Sequence, residues 1–106
     1  MEMEYLPDAG FRINSALISW DDDRHSIRKI LKGMHKEDDK VFEFEDENIE
    51  QRRDVYQNYL EEDNYFFLNY NSNDLFSEIE IHWGISILIK GVCLDFENEL
   101  SEVIKV

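Results

Sequence analysis

The 106-residue chain is poor in the residues that usually announce a disulfide scaffold, a linker or a membrane span: one cysteine, one proline and four glycines. Cys93 has no second cysteine to bridge to, so no intramolecular disulfide forms. Set between Val92 and Leu94, it reads as a small hydrophobe on a strand. Pro7 is the sole proline, and no Gly- or Pro-rich linker or internal repeat divides the chain. One domain over residues 1–106 is expected. No apolar run approaches the about 20 residues that a membrane span needs. Met1–Pro7 has neither the basic start nor the apolar stretch of a secretory leader. The expectation is a cytoplasmic protein.

The recognisable catalytic signatures are also missing. There is no Gly-rich phosphate loop, no Gly-x-Ser-x-Gly, no His-Glu-x-x-His and no Cys-x-x-Cys. No cofactor is expected, and an enzyme is the weaker reading. Basic residues are scarce as well: 11 Lys+Arg stand against 25 Asp+Glu, a formal net charge of −14. That balance excludes a phosphate track for nucleic acid and an anionic membrane surface as partners.

What is present is a core. The chain is 42% hydrophobic and 13% aromatic, too apolar for a disordered acidic tail. Its charge is uneven: residues 1–40 carry 7 basic and 9 acidic side chains, residues 41–106 carry 4 and 16. If the two segments lie apart, the molecule is electrically polarised.

Periodicity predicts an α+β fold, an antiparallel sheet of five to six strands with two to three helices packed mainly on one face. A strand is read over Phe11–Trp20. Asp21-Asp22-Asp23 then caps a helix whose stripe is Ile27, Ile30, Leu31 and Met34, closed by Gly33. Val41–Glu45 is a short strand with Phe42 and Phe44 on one face. Asn48-Ile49-Glu50-Gln51 resembles a capping box, and Ile49, Tyr56 and Leu60 extend it into a second helix to about Glu62. The C-terminal part predicts a four-stranded meander: Tyr65–Tyr70, Leu75–Ile81, Ile85–Ile89 and Val92–Phe96.

Loop lengths set the register of that meander. The turn Asn71–Asp74 places Phe66 opposite Ile79. A three-residue loop His82-Trp83-Gly84 pairs Ile81 with Ile85, with one rival, a strand running straight through Gly84. Lys90-Gly91 pairs Ile89 with Val92, Ile87 with Leu94 and Ile85 with Phe96. A closing helix over Glu97–Lys105 docks Leu100, Val103 and Ile104 on the apolar face.

Three constellations are candidates for function. The densest acidic stretch, Glu43, Glu45, Asp46, Glu47, Glu50, Asp54, Glu61, Glu62 and Asp63, lies beside Tyr56 and Tyr59. Aromatic anchors in a charged rim suit docking of a basic protein. In charge and size the chain is comparable to immunity proteins that inhibit toxins or nucleases, which makes an inhibitor of one basic protein the leading expectation. A DNA mimic ranks lower, because Arg52 and Arg53 interrupt the acids. Glu78, Glu80 and His82 project from one strand face and form the alternative, a metal site or a small enzyme. Asn69, Asn71, Asn73, Asp74 and Glu80 imitate calcium-loop spacing, but Asp74 occupies the position that needs glycine, so they read as a turn. Phe67 and Leu88 on the outer face are the candidate seam of a homodimer.

Overall fold

Alternating side chains become strands almost throughout the chain. The computed structural model describes residues 1–89 and the backbone strands Val92–Phe96 and Glu102–Lys105. In chain order the elements are β1 (Glu2–Leu6), β2 (Gly10–Ile13), β3 (Ala16–Ser19), α1 (Arg24–Ile30), β4 (Lys36–Glu37), β5 (Lys40–Phe44) and β6 (Glu47–Gln51). There follow β7 (Arg53–Gln57), β8 (Tyr65–Tyr70), β9 (Phe76–Trp83), β10 (Ile85–Ile89), β11 (Val92–Phe96) and β12 (Glu102–Lys105). One sheet has the order β11-β10-β1-β2-β3, a second β12-β9-β8-β7-β4, and β5-β6 stand as a two-stranded ribbon. The fold is therefore nearly all-β, with one short helix among the described residues, and not the α+β arrangement of two to three helices.

The two large sheets share one core. Met3, Phe11, Ile13, Ile18, Ile85 and Ile87 come from the first, and Tyr56, Phe66, Leu68, Phe76, Ile79 and Ile81 from the second. Trp20, just after β3, stacks on Phe76 of β9 with ring centroids 4.9 Å apart, bridging the sheets. Tyr56 and Phe66 are direct cross-strand partners and lie parallel at 5.0 Å. Offset pairs of this kind add about 0.5–1.5 kcal/mol beyond the area they bury.

The helix starts where capping chemistry places it. Asp23 accepts from the Ser26 backbone N–H at 2.9 Å and from its hydroxyl at 2.8 Å, and this holds the Asp23 carboxyl below its ordinary range. Gly33 takes φ +65° and its N–H reaches the Arg28 carbonyl, closing the end. Only Ile27 and Leu31 of the apolar stripe are buried; Ile30 and Met34 face solvent.

Three elements depart from the periodicity reading. Phe11–Trp20 is a hairpin, with Ile13 opposite Ala16 and the chain turning at Asn14, which is why its alternation looks broken. The 49–62 segment holds no helix: β6 ends at Gln51 and β7 alternates outward and inward, burying Asp54 and Tyr56. In the last segment, residues 97–101 lie outside those described, while Glu102–Lys105 is a strand antiparallel to β9, not a helix.

Gly84 decides the path of the meander. β9 and β10 follow one another through it without folding back, so Ile81 and Ile85 are not cross-strand partners; β9 stays in the second sheet and β10 joins the first. Gly84 has φ +72°, and a Cβ there would sit 1.7 Å from the Asp63 carbonyl oxygen. Only glycine fits this crossing. β10 then pairs in parallel with β1, Ile87 opposite Met3. The β10–β11 hairpin has the register expected of a two-residue turn: Ile89 with Val92, Ile87 with Leu94, Ile85 with Phe96. Between β8 and β9 the register differs from expectation, Phe66 lying opposite Ile81 and Leu68 opposite Ile79, with an irregularity beside Tyr70 that turns Phe76 into the core.

Candidate functional site

The acidic stretch is divided by the fold into three places. Its first part is the β5–β6 ribbon. Lys40 lies opposite Gln51, Val41 opposite Glu50, Phe42 opposite Ile49, Glu43 opposite Asn48 and Phe44 opposite Glu47. The two-residue turn Glu45-Asp46 has φ +48° and +66°. Both central residues are thus left-handed, as the hairpin turn that matches strand twist requires. Every residue from Lys40 to Glu50 is exposed, including Val41 at 68%, Phe44 at 62%, Ile49 at 50% and Phe42 at 47%. Alternation puts Phe42, Phe44, Glu47 and Ile49 on one face and Val41, Glu43, Asn48 and Glu50 on the other. Phe42 and Phe44 share a face as expected, but that face looks into solvent.

A lone two-stranded ribbon is marginal in water, and this one is tied at its base. The Gln51 side-chain amide donates to the Asp38 carbonyl at 2.9 Å. Arg52 pairs with Glu50 and grips both Asp74 oxygens at 2.8 and 2.7 Å. Arg53 donates to Asp38 at 2.9 Å and stacks over Phe67, 4.4 Å from the ring centre. The Arg53 guanidinium, with Lys40, holds the Asp38 carboxyl below its usual range.

The second part of the stretch is inside the protein. Asp54 and Tyr56 are fully buried and Tyr59 is 2% exposed, so these three expected docking residues are not on the surface. Asp54 accepts from Arg24 Nε and Nη2 at 3.2 and 2.7 Å, and from Arg28 Nε and Nη2 at 2.8 and 2.7 Å. Arg24 also makes a fork to Asp39 at 3.0 and 2.7 Å and lies over the Tyr70 ring. Burial opposes ionisation of Asp54, but the hydrogen bonds and charges of Arg28 and Arg24 outweigh it and lower its pKa. The two arginines of the basic helix are therefore spent on the buried carboxylate, while Lys29 and Lys32 stay exposed.

The third part, Glu61, Glu62 and Asp63, occupies the exposed loop after β7, at the end of that strand away from the ribbon. Asn64, fully buried, knits this loop: its side chain accepts from the Tyr59 N–H and donates to the Tyr59 and Glu61 carbonyls. Glu61 forms an ion pair at 2.7 Å with the Met1 amino group.

Glu78, Glu80 and His82 share the outer face of the second sheet, as their spacing predicts, but do not converge on a common point. The Asn69 amide donates to Glu78 at 2.6 Å and to Glu80 at 2.8 Å, while Arg53 stands 3.8 Å from Glu80. His82 turns toward Phe67 and Tyr65, ring centroids 4.3 and 5.3 Å away, and burial lowers its pKa. A polar cleft of about 300 Å³ runs from this face to the ribbon base, lined by Glu50, Arg52, Arg53, Asn69, Glu78 and Glu80 among others. Three acids and two arginines share its lining. Among the described residues, no group of three or more His, Cys, Asp or Glu is placed to hold a metal ion. The Asn71 side-chain oxygen accepts from the N–H groups of Asn73 and Leu75, so the calcium-like spacing closes a turn.

The expected dimer seam is not continuous either. Phe67 lies in the second sheet and is 7% exposed beneath Arg53 and His82, whereas Leu88 lies in the first. Among the described residues no helix is long and apolar enough to cross a membrane.

The exposed apolar face of the ribbon escaped the sequence reading. The signal was there in Val41-Phe42-Glu43-Phe44-Glu45-Asp46-Glu47-Asn48-Ile49-Glu50, where acids recur too densely for either strand to sit in a core. Comparison with protein-family models, with curated proteins and with solved structures finds no match to this chain.

Proposed function

We propose that the protein binds a basic protein partner, with the β5–β6 ribbon as its docking element, in the manner of a small inhibitor or immunity protein. The observation that carries this reading is the concentration of five carboxylates against one lysine on a ribbon that pairs with no other strand among the described residues. Such a charge accelerates encounter with a basic surface and repels acidic competitors. The docking residues on this reading are Glu43, Glu45, Asp46, Glu47 and Glu50. Glu61, Glu62 and Asp63, at the other end of β7, form an outlying patch. A DNA-mimic role has less support: the acids do not run as a continuous strip, and Arg52 and Arg53 stand between the two patches.

The test compares the protein with a ribbon-neutralised variant carrying Glu43→Gln, Glu45→Gln, Asp46→Asn, Glu47→Gln and Glu50→Gln. Extract of the source cell is passed over each, and bound proteins are identified across a salt series. Recovery of a specific basic protein by the wild type alone, weakening as salt rises, supports the proposal. Equal recovery by both, or salt-independent binding, overturns it.

A further inference from the structure

The ribbon carries more than charge, and its backbone restricts what docks on it. β5 is hydrogen-bonded to β6 on one side only, so its other edge has no strand partner among the described residues. An open edge is a template for another strand, and proteins usually blunt such edges with charge. Here the blunting is selective. Phe42 and Phe44 point to one face, Val41 and Glu43 to the other, and the tip residues Glu45 and Asp46 add negative charge. A strand added to this edge has the same two-residue alternation. Its residues opposite Phe42 and Phe44 meet apolar rings, and on the other face its neighbours meet the Glu43 carboxylate and Val41.

We infer that the free edge of β5 accepts an extended segment of alternating apolar and basic residues, so that the basic partner is bound by strand addition. This deepens the docking proposal above and rests on it. A second copy of the ribbon is a poor occupant, because it brings five like-charged carboxylates to the same place. A purely basic segment satisfies the charge but leaves Phe42 and Phe44 wet. A purely apolar one leaves Glu43 facing hydrocarbon. The alternating pattern satisfies both faces, while main-chain hydrogen bonds supply affinity independent of sequence.

The experiment uses two synthetic peptides of identical composition, four valines and three lysines, capped at both ends. One alternates strictly; the other groups the lysines at one end. Binding to the intact protein is measured by isothermal titration at low and moderate salt. The alternating peptide is expected to bind at least about tenfold more tightly than the block isomer, a difference of about 1.4 kcal/mol. Backbone N-methylation of alternate residues abolishes that advantage. So does the double variant Phe42→Ser, Phe44→Ser, whose fold is checked by its unchanged circular dichroism and melting temperature. Equal, salt-sensitive binding of both isomers overturns strand addition and leaves charge-driven docking standing. Absence of binding by either peptide at low salt overturns both.

Discussion

Replacing Asp54 by Asn tests the most consequential polar group in the fold. The substitution preserves shape but removes the charge that Arg24 and Arg28 share. One of its two acceptor oxygens becomes an amide nitrogen facing guanidinium donors. Breaking a buried ion pair by removing one partner costs about 3–5 kcal/mol. The low end applies here, for two structural reasons. Arg24 keeps its fork to Asp39 and its bond to the Arg53 carbonyl. Arg28 is partly exposed, with Glu37 3.6 Å away, and regains water. A loss of about 3 kcal/mol corresponds to a fall in Tm of about 12–24 °C for a domain of this size. Urea denaturation near pH 7, analysed by linear extrapolation, measures it.

The pH dependence gives an independent check. The folded-state pKa of Asp54 is depressed, so its stabilisation is present above the unfolded value of about 3.9 and is lost as pH falls through the folded value. Wild type and the Asp54→Asn variant therefore converge in strong acid, because protonated Asp54 resembles Asn. A difference below about 1 kcal/mol near neutrality refutes the assignment of Asp54 as a stabilising buried charge. A difference that persists undiminished in strong acid refutes the electrostatic explanation.

Three further outcomes are expected. Gly84→Ala forces a side chain into the Asp63 carbonyl at positive φ, and costs about 2 kcal/mol or more, read as a lowered urea midpoint. Phe42→Ser with Phe44→Ser, despite removing two aromatic rings, shifts global stability by less than about 1 kcal/mol, because both are already exposed; a large drop in Tm argues that the ribbon is packed. The Tyr70 and Tyr56 hydroxyls are buried with no hydrogen-bond partner among the described residues, and burial pushes both phenols above their ordinary pKa. Tyr70→Phe and Tyr56→Phe are therefore neutral or stabilising by up to about 1 kcal/mol in thermal unfolding, and a clear loss from either indicates a bound partner for its hydroxyl.

Local chemistry explains what the sequence made legible. Two residues separate Ile89 from its partner Val92, so the β10–β11 register followed from counting, and the Asp23 cap followed from residue type. Glu78 and Glu80 were placed on one face by strand alternation alone. Failures arose where tertiary contacts reassigned a residue. Asp54 alternates with Arg53 and Val55 as a core position does, but a buried carboxylate looks polar in sequence, so Tyr56 and Leu60 seemed helical instead. Its partners Arg24 and Arg28 lie 30 and 26 residues away, beyond any local pattern. The outward turn of Phe42 and Phe44 was hidden for the converse reason, since an aromatic alternating with acids looks like the inner face of a sheet.

The parallel seam between β1 and β10 also governs how this chain reaches its fold. Glu2 lies opposite Ser86, so the seam joins residues 84 positions apart, and the first sheet is incomplete until it closes. Closing so long a loop is entropically slow, and folding rates fall as such distant contacts accumulate. Until Ile85–Ile89 pairs with it, one edge of β1 has no strand in this sheet. β10 thus completes the sheet that β1 opens, and refolding of this protein is expected to be slow and cooperative, not a stepwise accretion of hairpins.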